Sequence, residues 1–519
     1  MRIGLLHGWL LEGSGSNVYV RELARALRAR GHQVSVICQE RRAERYGEIG
    51  AVCVPAIDKR LMPVHVADTD YEGFESVIGF KDLEGDIRLK AYLDDFTAGA
   101  AKFCRAGEIE VLIANHMYPM PVVASRIKEL LNIPFLVFPH GSAIEYTLKK
   151  SEALARDAER AVEAADALVV GNETVTARIM RLYPKREESW RKKHFIVPVG
   201  VDPELFRPIA PGERKDALGR LVSEGLSKGG KTRAMTRVLT ERACRMDQEL
   251  IQAVRLSRSE YERKSPDADI ASKFQEIDWA KEKILIFTGK LIAGKGLHDF
   301  IAALPAILNR RPDTRLLIVG EGPAREPLEM LLKALSDGDC ELLERVLRLG
   351  GSLSEEPDIA FDNIKVYAER LGFEEWAAMG KDARPIEKVL FTGYLGHALY
   401  RHVLPCADIA VFPSQVAEAY PLVLIEAISA GVLPVASDFE GMGEGLSEIS
   451  GALSSDIGEL MRIKMDPETR IESMAENVGR LLERSADWAG TCRSLAEERY
   501  SWDKVAEGME TVCASVLGR

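Results

Sequence analysis

Two carboxylates, Glu418 and Glu426, stand in "AEAYPLVLIEAISAGVLPVAS", an otherwise apolar and helix-forming stretch. Burying an unpaired charge is costly, so such acids need a reason. Pro421 suits the first position of a helix and Gly431 the residue just past its end. That places Glu418 just before a short helix and Glu426 about one turn inside it. The helix start offers the N–H groups of Leu422 and Val423 and a positive dipole end, which attract an anion such as a phosphate. Two acids beside a phosphate site suit a hydroxyl-rich, phosphate-bearing ligand. The competing explanation is ordinary capping with a partly exposed surface carboxylate.

Other residues with chemical potential fall on glycine-rich loops. "GKLIAGKG" sets Lys290 and Lys295 at a strand-to-helix turn, where two ammonium groups could neutralise a diphosphate. Gly289, Gly294 and Lys295 nearly complete a P-loop, but Gly296 stands where the magnesium-holding Ser or Thr belongs, which argues against a P-loop nucleotide hydrolase. "GEGPAR", containing Gly322, begins like a dinucleotide fingerprint but has Arg325 at its last glycine. "EGSGSN", containing Gly15 and Ser16, is either a close approach to phosphate or sugar or a tight turn. His116 follows "VLIAN" and His140 follows "FLVFP", so both are expected at the same edge of one parallel sheet. Neither has carboxylates at metal-ligand spacing, and no G-x-S-x-G elbow suggests a serine hydrolase.

The elements that must position these residues alternate along the chain. At 519 residues two or more domains are expected, and 46% hydrophobic with 29% charged residues describes an ordinary globular composition. The formal charge of -11 argues against wholesale binding to nucleic acid or anionic membrane. The 8 cysteines are singletons, which reads as reduced thiols and a cytoplasmic location. "MRIGLLHGW" reads as a first strand rather than a signal peptide, followed by a helix with Val20, Leu23, Ala24 and Leu27 on one face and the strand "HQVSVICQ". "VLIAN", "FLVFPH", "ALVVG" and "FIVPVG" continue a first α/β domain over 1–206. A helical insertion or linker is expected over 207–282, basic between about Lys228 and Arg245. It reads as a solvated elaboration or oligomer contact, or as a patch for an anionic acceptor or a membrane surface. "KILIFTG", "RLLIVGEG", "KVLFTGY", "IAVFPS" and "LPVAS" build a second parallel domain over 283–490, interrupted by an insertion at about 335–385. A terminal helix closes the chain within 491–519.

The order of these loops carries a resemblance. "GSGSNVYVRELARALRARGHQVSVI", "PHGS", "VPVGVDPELFRP", "FTGKLIAGKG", "IVGEGP", "VLFTGYL" and "AVFPSQVAEAYPLVLIEAISAGVLPVAS" occur in the order of the family 4 retaining glycosyltransferases. The resemblance covers most of the chain outside the insertions. It implies the GT-B fold, two Rossmann-like domains facing each other across a cleft, and a retaining hexosyltransferase. Glu426 would then bind the ribose of a nucleotide-sugar donor and Glu418 the transferred sugar. Lys290, Lys295 and the Leu422 and Val423 amides would hold the diphosphate beside Gly289 and Gly322, and the backbone around Thr392 and Tyr394 would meet the base. Gly15 and Ser16 would close over the donor, with His140 near the sugar and His116 on the acceptor side. UDP is the first expectation for the nucleotide, from family frequency, and the lysines make a metal or other cofactor unnecessary. The acceptor is left open as a sugar, a small molecule or a lipid-linked hydroxyl, with peripheral membrane contact and oligomeric state also open. A nucleotide-sugar-binding or regulatory protein of the same fold is the alternative. The terminal helix would cross back onto the first domain, so truncation before Ser501 is expected to loosen domain pairing. Lys290 stands for the usual arginine, Pro421 and Ser14 for glycines and Val199 for an asparagine, which bears on donor geometry.

Overall fold

The computed structural model of the chain describes residues 1–11, 14–53, 61–65, 74–224, 229–242, 246–354, 356, 361–419, 421–484 and 488–519. Glu12 and Gly13 of the first glycine-rich loop, and the Lys228 and Arg245 bounds of the basic stretch, lie outside the described residues. The chain forms two compact units, Met1–Val201 with Glu498–Arg519, and Asp202–Glu497.

The first unit contains β1 (Arg2–Leu6), β2 (Gln33–Ile37), β3 (Ala51–Cys53), β4 (Leu61–Val64), β5 (Ser76–Gly79), β6 (Val111–Asn115), β7 (Phe135–Phe138), β8 (Ala167–Val170) and β9 (His194–Ile196). Seven of these make a sheet in the order β3-β2-β1-β6-β7-β8-β9, every registered pair parallel, while β4 and β5 pair separately. β6, β7 and β8 are buried throughout and, Asn115 apart, apolar, because helices cover both faces of a parallel sheet. The helix Gly15–Ala29 begins at Ser14, whose hydroxyl accepts from the Asn17 amide, and buries Val20, Leu23, Ala24 and Leu27. Strand order reverses between β1 and β6, and in open α/β sheets that switch point is where ligands bind.

The terminal helix Trp502–Val516 belongs to this first unit. The Val201 amide donates to Tyr500 and the Trp502 amide to Val201, while Trp502 packs edge-on to Tyr19. Gly200 lets the indole approach: a Cβ there would lie 2.5 Å from the ring. The division falls between Val201 and Asp202 because Phe206 is already held in the second unit, its carbonyl accepting from Ser429 and Arg493.

The second unit contains β10 (Lys283–Thr288), β11 (Thr314–Val319), β12 (Val389–Gly393), β13 (Ile409–Phe412), β14 (Leu433–Ser437) and β15 (Arg462–Ile463), in the order β12-β11-β10-β13-β14-β15. All registered pairs are parallel, and the reversal lies between β10 and β13. The stretch 207–282 falls within this unit. It packs through buried charge: Lys231, expected on a basic surface, is fully buried and donates to Glu326 and Glu329 at 2.7 Å each. Arg325, which displaces the fingerprint glycine, makes a bidentate pair with buried Asp267 at 2.6 and 2.7 Å. Burial pushes the Asp267 carboxyl up, but Arg325 and Lys273 outweigh it and hold it below the usual carboxylate range. Only part of the basic stretch therefore faces solvent; Arg233 is an exposed example, paired with Glu276.

Candidate functional site

In the second unit the loops after β10, β11 and β13 converge at the switch point. Gly320 and Gly322 have φ of +147° and +151°, and a Cβ on them would lie 1.9 Å from the Gly289 carbonyl and 2.4 Å from that of Leu291. The Leu291 amide donates to Glu321 and the Ala324 amide to Leu291, lacing the two loops together. Gly296 has φ +69°, and a Cβ there would meet the Pro413 carbonyl at 1.9 Å. Its place is therefore set by a left-handed turn against the loop after β13, and a Ser or Thr would be excluded sterically as well as strained. Lys290 is exposed, and Lys295 forms an ion pair with Glu418. The Ser414 hydroxyl donates to the same Glu418 oxygen at 3.2 Å.

The helix at this point spans Leu422–Ser429, with Pro421 as the residue before its first turn and Gly431, φ +74°, just past its end. Pro421 thus stands one position earlier than expected, which leaves the first-turn amides of Leu422 and Val423 at the helix start. Glu426 is 8% exposed and lies 3.1 Å from His397 Nε2. A buried network beneath the site fixes the loop after β13. Asp299 accepts from Arg470 at 2.7 Å, Gln415 at 2.7 Å and Asn363 at 2.8 Å, and Arg470 also donates to the Pro413 carbonyl at 2.5 Å. Glu356 accepts from the Ala293 amide beside Lys295, and half-burial pushes its carboxyl up.

In the first unit, His116 and His140 do emerge together, with ring centroids 4.5 Å apart. They are joined by His7 after β1 and His65 after β4, at 6.0 and 5.1 Å from His116, and by Trp9 at 4.3 Å. His116 has φ +67° and is 2% exposed, and neither of its ring nitrogens has a hydrogen-bond partner among the described residues. Burial lowers all of these histidines: His7 to about 4, His65 and His140 to about 3, and His116 well below its ordinary value. The cluster is a set of neutral imidazoles at the β1/β6 switch point. Among the described residues no group of three or more His, Cys, Asp or Glu side chains is placed to hold a metal ion.

The pattern described as Glycosyltransferase Family 4 matches residues 13–205, and patterns described as Glycosyl transferases group 1 match 282–368 and 373–457. The chain carries glycosyltransferase family 4 and group 1 domains. Its units are those of the GT-B fold. An uncharacterised glycosyltransferase of Methanocaldococcus jannaschii is 25% identical over 237 residues, 44% of this chain and 44% of that protein. The chain spans less than half the length of the first curated relatives that it matches. A D-inositol 3-phosphate glycosyltransferase of Corynebacterium glutamicum is 23% identical over 500 residues, 93% of this chain and 91% of that one. Anabaena HepE, solved in complex with UDP-glucose, has a TM-score of 0.56 at 14% identity, covering 99% of this chain and 100% of that one.

Within this chain, the structure brings Lys290, Lys295, Gly289, Gly322, Glu418, Leu422, Val423 and Glu426 to one switch point. Gly15 and Ser16 open the first helix turn after Ser14. Two of the backbone groups expected to meet a base are engaged by the chain itself: the Thr392 carbonyl accepts from the Asp267 amide at 2.8 Å, and the Tyr394 amide donates to Ser265 at 3.0 Å. The Thr392 hydroxyl is buried and donates to Ile318. Sequence reasoning did not find His7, Trp9, His65, Asn115, His397 or Glu356. His7 was available, because it ends the first strand just as His116 and His140 follow theirs. The others depend on contacts across the fold.

Proposed function

We propose that the chain transfers a sugar, with retention of anomeric configuration, from a nucleoside-diphosphate sugar to an acceptor hydroxyl. The observation that carries this reading is the Lys295–Glu418 pair at the start of the Leu422–Ser429 helix, with Glu426 buried one turn inside it. A diphosphate arriving at that helix start takes Lys295 from Glu418, which leaves the carboxylate to accept hydrogen bonds from the sugar. Lys290, Lys295 and the helix N–H groups then stabilise the charge that grows on the diphosphate as the bond to the sugar breaks. Glu426, beside His397, accepts from the ribose hydroxyls. UDP is the nucleotide proposed first, a choice supported by the UDP-glucose complex of the HepE neighbour. The lysines fill the charge-neutralising role, so the reading requires no metal. No helix among the described residues is long and apolar enough to cross a membrane, so any membrane contact proposed for the acceptor side is peripheral.

The test is release of nucleoside diphosphate from a panel of UDP-, GDP- and ADP-sugars, with and without pooled acceptors, by the native chain, Glu418→Ala and Glu426→Ala. Release from one donor, much weakened in both variants, is expected. Binding of a nucleotide sugar without turnover in any acceptor pool would favour a binding or regulatory protein. No binding would leave both glutamates as structural residues. Magnesium-dependent phosphate release from ATP or GTP would instead revive the P-loop reading that Gly296 opposes.

A further inference from the structure

Asn115 ends β6 and is fully buried. Its Nδ2 donates to the Leu6 carbonyl at 3.2 Å, and that bond sets which way the amide faces. The carboxamide Oδ1 is thereby turned toward His140 Nε2, 3.2 Å away. A carboxamide oxygen only accepts, so Nε2 must carry the hydrogen of the neutral ring. We infer that Asn115 is a positioning residue that holds His140 as the Nε2–H tautomer, so that Nδ1 is left as the ring's lone-pair acceptor for a hydroxyl of a bound sugar. The assignment rests on the reading of His140 as a group beside the transferred sugar.

The surroundings keep the ring neutral enough for this tautomer to matter. His116 from the end of β6, His7 from the end of β1 and His65 from the end of β4 are the titratable groups near His140 on those elements, and Tyr19 faces it from the helix Gly15–Ala29 at 5.4 Å. None of these carries negative charge at neutral pH, since burial pushes the Tyr19 hydroxyl well above its ordinary range. A carboxylate in place of the amide would reverse the balance. It would favour the imidazolium, convert Nδ1 from acceptor to donor and end its usefulness to a hydroxyl that must donate.

Two measurements on the full chain test the inference. Long-range ¹H–¹⁵N correlation of histidine-labelled protein, with His140 assigned through His140→Gln, is expected to show the Nε2–H tautomer at pH 7.5. An Nδ1–H tautomer or an even mixture overturns the inference, and this reading needs no turnover, so it stands apart from any failure of the proposed activity. The second measurement is the pH profile of donor consumption. Asn115→Asp is expected to move the acid limb of kcat/KM up by about one pH unit or more. Asn115→Leu is expected to lower kcat about tenfold with little change in donor KM, because only the ring's orientation is lost. An Asn115→Asp profile superimposable on that of the native chain, in a variant that retains its fold, overturns the positioning role.

Discussion

Glu418 and Glu426 differ in what holds them, and so in what their loss should do. Glu418 is neutralised by Lys295 before any ligand arrives. Glu418→Gln removes the competitor for that ammonium, so free nucleoside diphosphate should bind several-fold tighter while nucleotide-sugar turnover falls by about tenfold or more, as calorimetry and product release would show. Glu426 lies one turn into the helix and faces His397. Glu426→Gln keeps the shape but loses charge-assisted acceptors worth about 1.5–3 kcal/mol, so donor affinity should fall about 10- to 100-fold with the fold intact. Unchanged donor KM in this variant would remove Glu426 from the ribose site. Lys295→Met should weaken diphosphate binding and lower kcat together, since the charge it meets grows in the transition state.

At the scale of elements, the site is held by the approach of loops to one another rather than by the helices alone. Gly296→Ala should show this: a methyl group at φ +69° and 1.9 Å from the Pro413 carbonyl must push the β10 and β13 loops apart. A loss of about 2 kcal/mol or more in stability is expected by urea titration, together with weaker diphosphate binding as Lys295 moves away from the start of the Leu422–Ser429 helix. The strand-and-helix alternation around these loops was legible, because buried parallel strands are continuous apolar runs and their helices repeat at a different period. β3, β4, β5 and β15 were missed for the same reason in reverse. They are 2 to 4 residues long and, unlike the equally short apolar runs of β7 and β8, β4 carries Pro63, β5 runs from Ser76 to Gly79 and β15 is only Arg462–Ile463. The stretch 207–282 reads as basic in part because composition counts Lys231 as surface charge. The fold buries it against Glu326 and Glu329.

Across the whole molecule, the histidine cluster ties stability to pH. His7, His65, His116 and His140 are neutral in the folded chain with lowered affinities for protons, whereas in the unfolded chain they titrate near about 6.5. Below that value the unfolded state binds more protons than the folded one, so stability present at neutral pH is lost as pH falls from about 6.5 toward the folded values. Each such histidine contributes up to about 1.4 kcal/mol per pH unit in that window. Urea titrations between pH 7.5 and 5 should show the slope, well above the range in which carboxylates protonate. His65→Phe should flatten it; an unchanged slope would mean that the cluster is hydrated and titrates normally.

What the sequence determined by itself is the set of local signals. Glycine punctuation, apolar runs and the spacing of Glu418 and Glu426 are properties of neighbouring residues, and they yielded the parallel α/β architecture and the loops that meet at the β10/β13 switch point. What only the tertiary structure decided is which charges and rings meet. Lys295 and Glu418 are separated by 123 positions, Arg325 reaches Asp267 across 58, and His140 reaches Asn115 across 25. Such pairings follow from strand order at the β1/β6 and β10/β13 switch points. A strand's apolar run shows that it will be buried in a parallel sheet, but not which neighbour it will lie beside, because the backbone hydrogen bonds that join strands are the same for every sequence.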